Sequence, residues 1–567
     1  MPTDIGSGTV ADIESGDSRG ATMTADPVFH IEEFTDSELA ILNRHFTNTD
    51  LPVFGIIGLP EVVKGALFAR YSRSPKSIRR LFLDEFASEA SFGLDADPAG
   101  SVSHVGVARA QQLYDRVFTQ YGDDSVAQLG GAHIAVEQAS NILTKVLEWG
   151  RLASYLEQST RYIFYDKQLG GRYRYHIPSE IDTVGLTDRY RHDMDRSFAT
   201  YSDVVARLVE HYEALYPKAD GDSDYVWRST IRAKACDDAR GLLPASTTSN
   251  VGIFASGQAY EALLVRMRSH PLQEVRMCSD LILGELRKMI PAFMKRVDVP
   301  DRGGAWSRYF TEIAEAMGNR AAVLGVEPDP APIVTLVDFD PHGEQKVAAA
   351  ALYAHTDLPD AQIRGLVDDM TDDEIDAIFT AFVGDRTNRR HKPGRGMEQT
   401  YYRFDVLCDY GIFRDLQRHR MLTIEWQDLT TDHGYATPPA IDDIGARAMW
   451  DEAMERAALL VEDITHSISR TVAQYAVPFA SRIRFVMNLN AREAFHLIEL
   501  RTQQGGHPDY RRVCQEMHRA IAEVAGHRRI AEAMSFVDHS EYDLARLETE
   551  RKAASRRAAA GITDPSV

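Results

Sequence analysis

Internal repetition constrains this chain more than any other feature. Ala239 to Pro244 (ARGLLP) returns as Ala473 to Pro478 (AQYAVP), and Gly257 to Arg268 (GQAYEALLVRMR) returns as Asn490 to Arg501 (NAREAFHLIELR). Each helix-like stretch is soon followed by His-Pro, at His270-Pro271 and His507-Pro508. Arg240 to Arg268 spans 28 residues and Gln474 to Arg501 spans 27, so order and spacing repeat together. Two copies are too few for a solenoid. The chain reads as a tandem duplication of one globular unit.

A chain of 567 residues, 44% hydrophobic and 26% charged, has core enough for two such units. We expect a disordered tail (1–45), a first copy (46–290), a connector holding one helix (291–331), a second copy (332–535) and a charged helical tail (536–567). In the first copy, Leu51 to Leu59 reads as a buried strand, followed by a helix through Tyr71. Gly122 to Ser125 reads as a turn into a helix over Ile134 to Leu147, whose apolar Ala135, Ala139, Ile142, Leu143 and Val146 recur at three and four. Tyr173 to Pro178 alternates and ends in proline, so a strand or its edge is expected. Residues 182–240 read as mostly helical and 246–250 as a polar turn. In the second copy we expect a strand over Ile333 to Phe339, a turn at Asp340-Pro341, and helices over Gln345 to Tyr353 and Phe404 to Gln417. The tail from Leu547 reads as a solvated helix.

The net charge of −21 argues against a nucleic-acid partner, which needs a basic footprint, although a local basic pocket can hold a small anion. Cys236, Cys278, Cys408 and Cys514 lie far apart with no CxxC pair, which gives neither a disulfide framework nor a zinc site and fits a reducing cytoplasm. No metal site is expected. No apolar run approaches the roughly 18 residues of a membrane span, and the first ~25 residues lack a signal-peptide layout. P-loop, GxGxxG, HExxH and Ser-His-Asp signatures are absent from the sequence.

Two stretches carry the chemistry. Trp149 to Tyr162 (WGRLASYLEQSTRY) sets Glu157, Gln158, Ser159, Thr160 and Arg161 side by side, an inventory for holding an oxygen-rich anion. Arg418 to Thr431 (RHRMLTIEWQDLTT) opens with a basic triplet, which alone is compatible with a solvated helix end. Asn490, three residues before Glu493, has the spacing of a helix cap. From Arg492, His496 lies on the same helical face, whereas Arg501 is about 180° round; such a helix can touch two ligands or two subunits. The basic run Arg386, Arg389, Arg390, His391, Lys392, Arg395 reads as a solvated loop, with a phosphate contact as the alternative. His133, placed at a helix start, reads as structural rather than catalytic.

Together these pieces resemble the flavin-dependent thymidylate synthase family, marked by RHRxxSxNExSxRY after a helix and a later N-x-R-x-x-x-H/N-x-x-x-L-R helix. The resemblance covers roughly 52–290 and 333–525. It implies an α+β fold in two tandem copies, mixed helices with a small sheet, forming a pseudo-oligomer with sites at subunit contacts. It also implies FAD, a pyrimidine nucleotide with dUMP as default, and methylenetetrahydrofolate and NADPH as co-substrates. The cofactor carries that chemistry, so no catalytic side chain is expected.

The family's nucleotide-side residues correspond to Glu157, Gln158, Ser159, Arg161, Arg240 and Arg268 in the first copy, and to Arg501 in the second. Its flavin-side residues correspond to Glu398, Arg418, His419, Arg420, Asn490, Arg492 and His496. Elsewhere each copy departs from the pattern. The first has Trp149-Gly150-Arg151 for the triplet, Leu156 for the flavin-side Asn, and Gly257 and Ala259 on the helix. The second has Trp426, Asp428, Thr430 and Gln474 on the nucleotide side. The expectation is a composite site between copies, in a dimer of chains acting as a pseudo-tetramer. The alternatives are a non-catalytic nucleotide- or flavin-binding descendant, or a flavin enzyme acting on another nucleotide.

Overall fold

The computed structural model describes residues 29–59, 63–64, 67–68, 71, 74–87, 128, 130–544 and 546–559. The turn expected at 122–125 and most of the expected N-terminal tail lie outside them. The first copy runs β1 (Val53–Gly55), β2 (Gly131–Ser140), α1 (Asn141–Leu147), β3 (Ala153–Glu157), α2 (Thr187–Leu215), α3 (Asp224–Ala239), β4 (Thr248–Ser256), α4 (Gly257–Arg268) and α5 (Gln273–Met289). The connector contributes α6 (Gly303–Ala321). The second copy runs β5 (Val334–Phe339), β6 (Tyr401–Asp409), α7 (Tyr410–Leu416), β7 (Thr423–Trp426), α8 (Arg447–Ser467), β8 (Arg482–Asn490), α9 (Ala491–Arg501) and α10 (Pro508–Glu523), followed by α11 (Leu547–Ala559). The class is mixed α+β. Each half carries an antiparallel four-stranded sheet, ordered β1-β2-β4-β3 and β5-β6-β8-β7.

Two expected helices are half strand. Ile134 to Leu147 splits at Ser140, whose hydroxyl caps α1 by accepting from Leu143 N at 3.0 Å. Phe404 to Gln417 splits at Asp409, which caps α7 through Ile412 N at 3.0 Å. The preceding strands are covered on their inner face, and β2 is buried along most of its length. A buried strand loses the alternation that separates it from a helix, so periodicity alone could not divide them. Tyr173 to Pro178 forms only the bridge Tyr175–Thr247. The polar turn expected at 246–250 is instead largely the start of β4. Its Asn250 Oδ1 accepts from Gln138 N at 2.9 Å, where β2 bulges and Gln138 takes φ +55°.

Three further expectations change. Arg386 belongs to no solvated loop: its guanidinium forks Glu499 at 2.7 Å twice and is buried. His133 stands in β2 with its ring 4.5 Å from that of Phe254. The tail helix α11 is docked, because Arg551 forks Asp222 at 2.7 and 2.9 Å.

The repeated proline elements join the halves. Pro244 and Pro478 form an antiparallel bridge, flanked by Ala245 N to Val477 O and Phe479 N to Leu243 O, both 2.8 Å. Beside it α7 lies against α1: Tyr410 OH donates to Asn141 O at 2.8 Å and Gln417 Nε2 to Lys145 O at 3.2 Å. These contacts bring the end of each motif stretch toward the other half.

Candidate functional site

Strand register fixes which positions correspond. Gly257 N bonds Gly130 O at 2.8 Å, as Ala491 N bonds Thr400 O at 3.0 Å, so Ser256 and Asn490 are equivalent. Both cap: Ser256 Oγ accepts from Ala259 N at 3.3 Å and Asn490 Oδ1 from Glu493 N at 2.9 Å. The sequence comparison, which set Gly257 opposite Asn490, is thereby shifted by one. Counted from these caps, Arg501 stands opposite the buried Met267 rather than Arg268.

The folded chain gathers arginines from both halves. From the first copy, Arg161 forks Asp237 of α3 through Nε and Nη2 at 2.8 and 2.9 Å, and donates to Tyr510 OH of α10 at 3.2 Å. Arg240 is buried, with Nη1 3.8 Å from Asp415 of α7; its Nη2 has no hydrogen-bond partner. From the second copy, Arg418 pairs with Asp415, and Arg501 Nη1 lies 3.8 Å from the same carboxylate. Arg546 joins from the tail, donating to Asp237 at 3.0 and 3.2 Å. Both carboxylates are buried, which pushes them up, but the arginines outweigh burial. Arg161 and Arg546 hold Asp237 well below the ordinary range, and Arg418, Arg161, Arg501 and Arg240 do the same for Asp415.

His419 extends the cluster toward solvent. Arg501 Nε donates to its Nε2 at 2.9 Å. An arginine cannot accept, so Nε2 supplies the lone pair and the proton sits on Nδ1. Nδ1 faces Glu493 at 3.4 Å, and the other Glu493 oxygen lies 3.3 Å from His496 Nδ1. Burial pushes His419 down to about 4, while the two histidine hydrogen bonds overcome burial and bring Glu493 to about 2. The polar atoms of these three residues lie within 4.8 Å of one another. The tautomer set by Arg501 makes them a hydrogen-bonded chain rather than an open ligand set.

The remaining expected residues are placed as follows. Glu157 is buried between Lys145 Nζ and Arg414 Nη2, both at 3.2 Å, and sits at about 2 because these cations overcome its burial. Gln158 Nε2 donates to Ser74 O at 2.6 Å, and Ser159 Oγ accepts from Arg161 N at 3.2 Å. Arg268 pairs with Asp280 on the outside of α4–α5. Arg492 is half-exposed and spans Pro393 O at 3.2 Å and Glu398 at 3.5 Å. Arg420 lies over the Tyr155 ring at 5.4 Å. The structure therefore brings together Arg161, Arg240, Arg418, His419 and Arg501; it sets Arg268 and Gln158 apart.

Asp237, Asp415, Tyr510 and Arg546 escaped the sequence reading. A signal existed for the first two: each aspartate stands three residues before an arginine, Asp237-x-x-Arg240 and Asp415-x-x-Arg418, the spacing of neighbours on a helix. Nothing in sequence marks Arg546, which reaches the cluster across the whole chain.

The duplicated α+β chain thus carries an arginine-rich cluster between its halves. Residues 71–292 and 335–526 both match the family described as thymidylate synthase complementing protein, and the chain belongs to that family as a tandem duplication with two divergent copies. It is 37% identical over 530 residues to a UPF0159 protein of Chlamydia muridarum, covering 92% of this chain and 98% of that one. A UPF0159 protein of Thermoplasma acidophilum is 31% identical over 513 residues, covering 86% and 97%. The flavin-dependent thymidylate synthase of Clostridium tetani is 28% identical over 178 residues, covering 31% of this chain and 66% of its own.

Proposed function

We propose that the chain binds a pyrimidine nucleotide at the composite cluster and methylates its base, converting dUMP to dTMP with methylenetetrahydrofolate and NADPH at a flavin. One observation carries the reading. The nucleotide-side Arg161 and Arg240 of the first copy stand in the same buried network as Arg418, His419 and Arg501 of the second. Each copy keeps what the other lacks, and folding supplies the missing partner. Five arginines face two aspartates there, and the 3.8 Å approaches of Arg240 and Arg501 to Asp415 are too long for direct hydrogen bonds. The unpartnered Nη2 of Arg240 adds donor capacity that a phosphate suits.

The flavin-side residues have the donor set for a dinucleotide. Arg420 leaves Nη1 buried without a partner, and Arg492 and His496 are half-exposed on one face of α9. Arg420, Arg492 and His496 would hold FAD, with His419 locked by Arg501 and Glu493 at its edge. A bound flavin supplies the redox step and the relay of the methylene group. The protein's part is to hold the nucleotide phosphate, position the base and keep His419 neutral. Two chains would make a four-copy assembly, and the exposed stripe Trp306, Tyr309, Ile313, Met317 on α6 offers it an apolar surface.

A second reading rests on Asp415. Its carboxylate stands among the arginines where a phosphate would go, which favours a descendant that keeps the fold of the site without turnover. Tritium release from C5-labelled dUMP with methylenetetrahydrofolate, NADPH and FAD separates the two, beside calorimetric titration of dUMP. The proposal expects release, and an Arg240→Gln variant with dUMP affinity lowered roughly 10- to 100-fold, the worth of one charge-assisted hydrogen bond. Wild-type protein that binds dUMP and releases no tritium establishes the second reading instead.

A further inference from the structure

A cavity of about 210 Å³ opens between the two triplets, lined by Trp149 to Arg151 and Arg266 from the first copy and by Gln417, His419, Arg420 and Leu422 to Glu425 from the second. Two of its cations form no ion pair among the described residues. Arg266 lies over the Trp149 ring, its Cζ 4.6 Å from the centroid, and near Tyr155, and its Nε and Nη2 are buried without hydrogen bonds among the described residues. Arg420 lies over the Tyr155 ring, and its Nη1 is likewise buried and unpartnered among the described residues. Burial pushes Arg266 below the usual arginine range, and the nearby Tyr155 phenol offsets that only in part. A desolvated cation without a counter-charge is unfavourable, and a native fold keeps one where something else supplies the charge.

Fold alone does not ask for Arg266. It is the tenth residue of α4, and the tenth residue of α9 is Leu500. Glu148, next to Trp149, is committed to Lys145 Nζ at 2.8 Å, and Glu425, which lines the cavity, is exposed on β7. Arg151 is exposed and donates to Thr423 at 3.1 Å. The cavity is smaller than the roughly 300–1,000 Å³ of a pocket enclosing a whole drug-sized ligand. It takes a group, not a molecule.

We infer that Arg266 and Arg420 form a seat for a phosphate or pyrophosphate group, built across the two copies. Arg266 is thereby a binding residue inside the repeated helix, at a position where the second copy has Leu500. The inference deepens the flavin reading above, because a dinucleotide reaching His419 and Arg420 would bring such a group, but an inorganic anion tests it alone. The probe is inorganic pyrophosphate, titrated calorimetrically at low salt into wild-type protein and into Arg266→Gln, with FAD and dUMP titrated in parallel.

The seat predicts that Arg266→Gln weakens pyrophosphate about 10- to 100-fold, while dUMP affinity is unchanged and the anion-free protein melts no lower than wild type, since relief of the unpaired buried charge offsets the lost contact with Trp149. A melting temperature that falls, with pyrophosphate affinity unchanged, makes Arg266 structural and overturns the seat. So does wild-type protein that binds no pyrophosphate. Pyrophosphate bound through Arg266 without any FAD binding keeps the seat and removes the flavin reading. FAD bound equally by wild type and variant, with turnover intact, keeps the function and removes the seat.

Discussion

The two copies share a sheet order, a pair of capping residues and a proline bridge, yet their equivalent polar positions carry opposite chemistry. Where the first has Arg161, Arg240 and Asp237, the second has Thr430, Gln474 and Thr471. Where the second has Asp415, Arg418, His419 and Arg501, the first has Val146, Trp149, Gly150 and Met267. The charged set closes through Arg161–Asp237 and Arg418–Asp415. The arginine-free one closes through Gln474 Nε2 and Thr471 Oγ1, which each donate to Asp428 at 3.2 Å, and through Leu429 N, which donates to Gln474 Oε1 at 2.9 Å. A duplicated fold can therefore exchange the polarity of a whole site while keeping its backbone, with most of the buried polar groups partnered and Arg240 Nη2 left open in the charged copy. Because the halves pack through their proline elements, the retained residues of one meet those of the other.

The largest effect that tests this division is at Asp237. Asp237→Ala leaves Arg161 and Arg546 buried without their shared carboxylate, and removing one member of a buried ion pair costs about 3–5 kcal/mol. Thr471→Ala, at the equivalent position in the second copy, removes one partly exposed hydroxyl contact and should cost within about 0.5 kcal/mol. Urea unfolding of both variants reads the difference. Equal losses would mean that the two networks do the same structural work and that the charged one is not special.

Part of this was legible beforehand. The duplication stands in the sequence because short motifs keep their spacing through divergence. The strands β2 and β6 were hidden because burial suppresses alternation in β2, and because α1 and α7 follow without a break after a single capping residue. Asp415 was hidden for another reason. Its carboxylate matters through Arg240 and Arg501, which lie 175 residues before it and 86 after it, and only folding brings three such distant groups together. Arg266 is silent in sequence, since an arginine near a helix end ordinarily reads as solvated.

A middle-sized effect concerns pH. His270 and His507 are matched between copies: each accepts a backbone N–H two residues on, at 3.2 Å. Burial brings both down to about 4, as it does His419, whose equivalent is Gly150. A histidine depressed from 6.5 stays neutral in the fold where the unfolded chain takes up a proton. Its stabilisation is thus complete above pH 6.5 and is lost as pH falls toward 4. Each contributes up to about 1.4 kcal/mol per pH unit inside that window. His270→Asn and His507→Asn should flatten the stability–pH profile equally, and His419→Gln by a further single proton's worth. A profile unaffected by His419→Gln would mean that this histidine is protonated in the fold, contrary to the tautomer that Arg501 imposes.

The smallest effect separates a cap from a ligand-binding residue. Ser256 and Asn490 hold the first turns of α4 and α9 in the same way, so Ser256→Ala and Asn490→Ala should each cost about 1 kcal/mol of stability. The positions lie in different halves, and the double variant should show the sum. The flavin reading adds something that capping does not. If Asn490 also faces FAD, Asn490→Ala weakens FAD binding beyond its effect on stability, whereas Ser256→Ala leaves FAD affinity at the wild-type value. Fluorescence titration of FAD against the two variants measures this directly. Loss of FAD affinity in both would trace to a loosened fold, and loss in neither would leave Asn490 a cap and nothing more. Loss in Asn490→Ala alone would show that one structural position, doing the same local work in both copies, has kept a second role in only one of them.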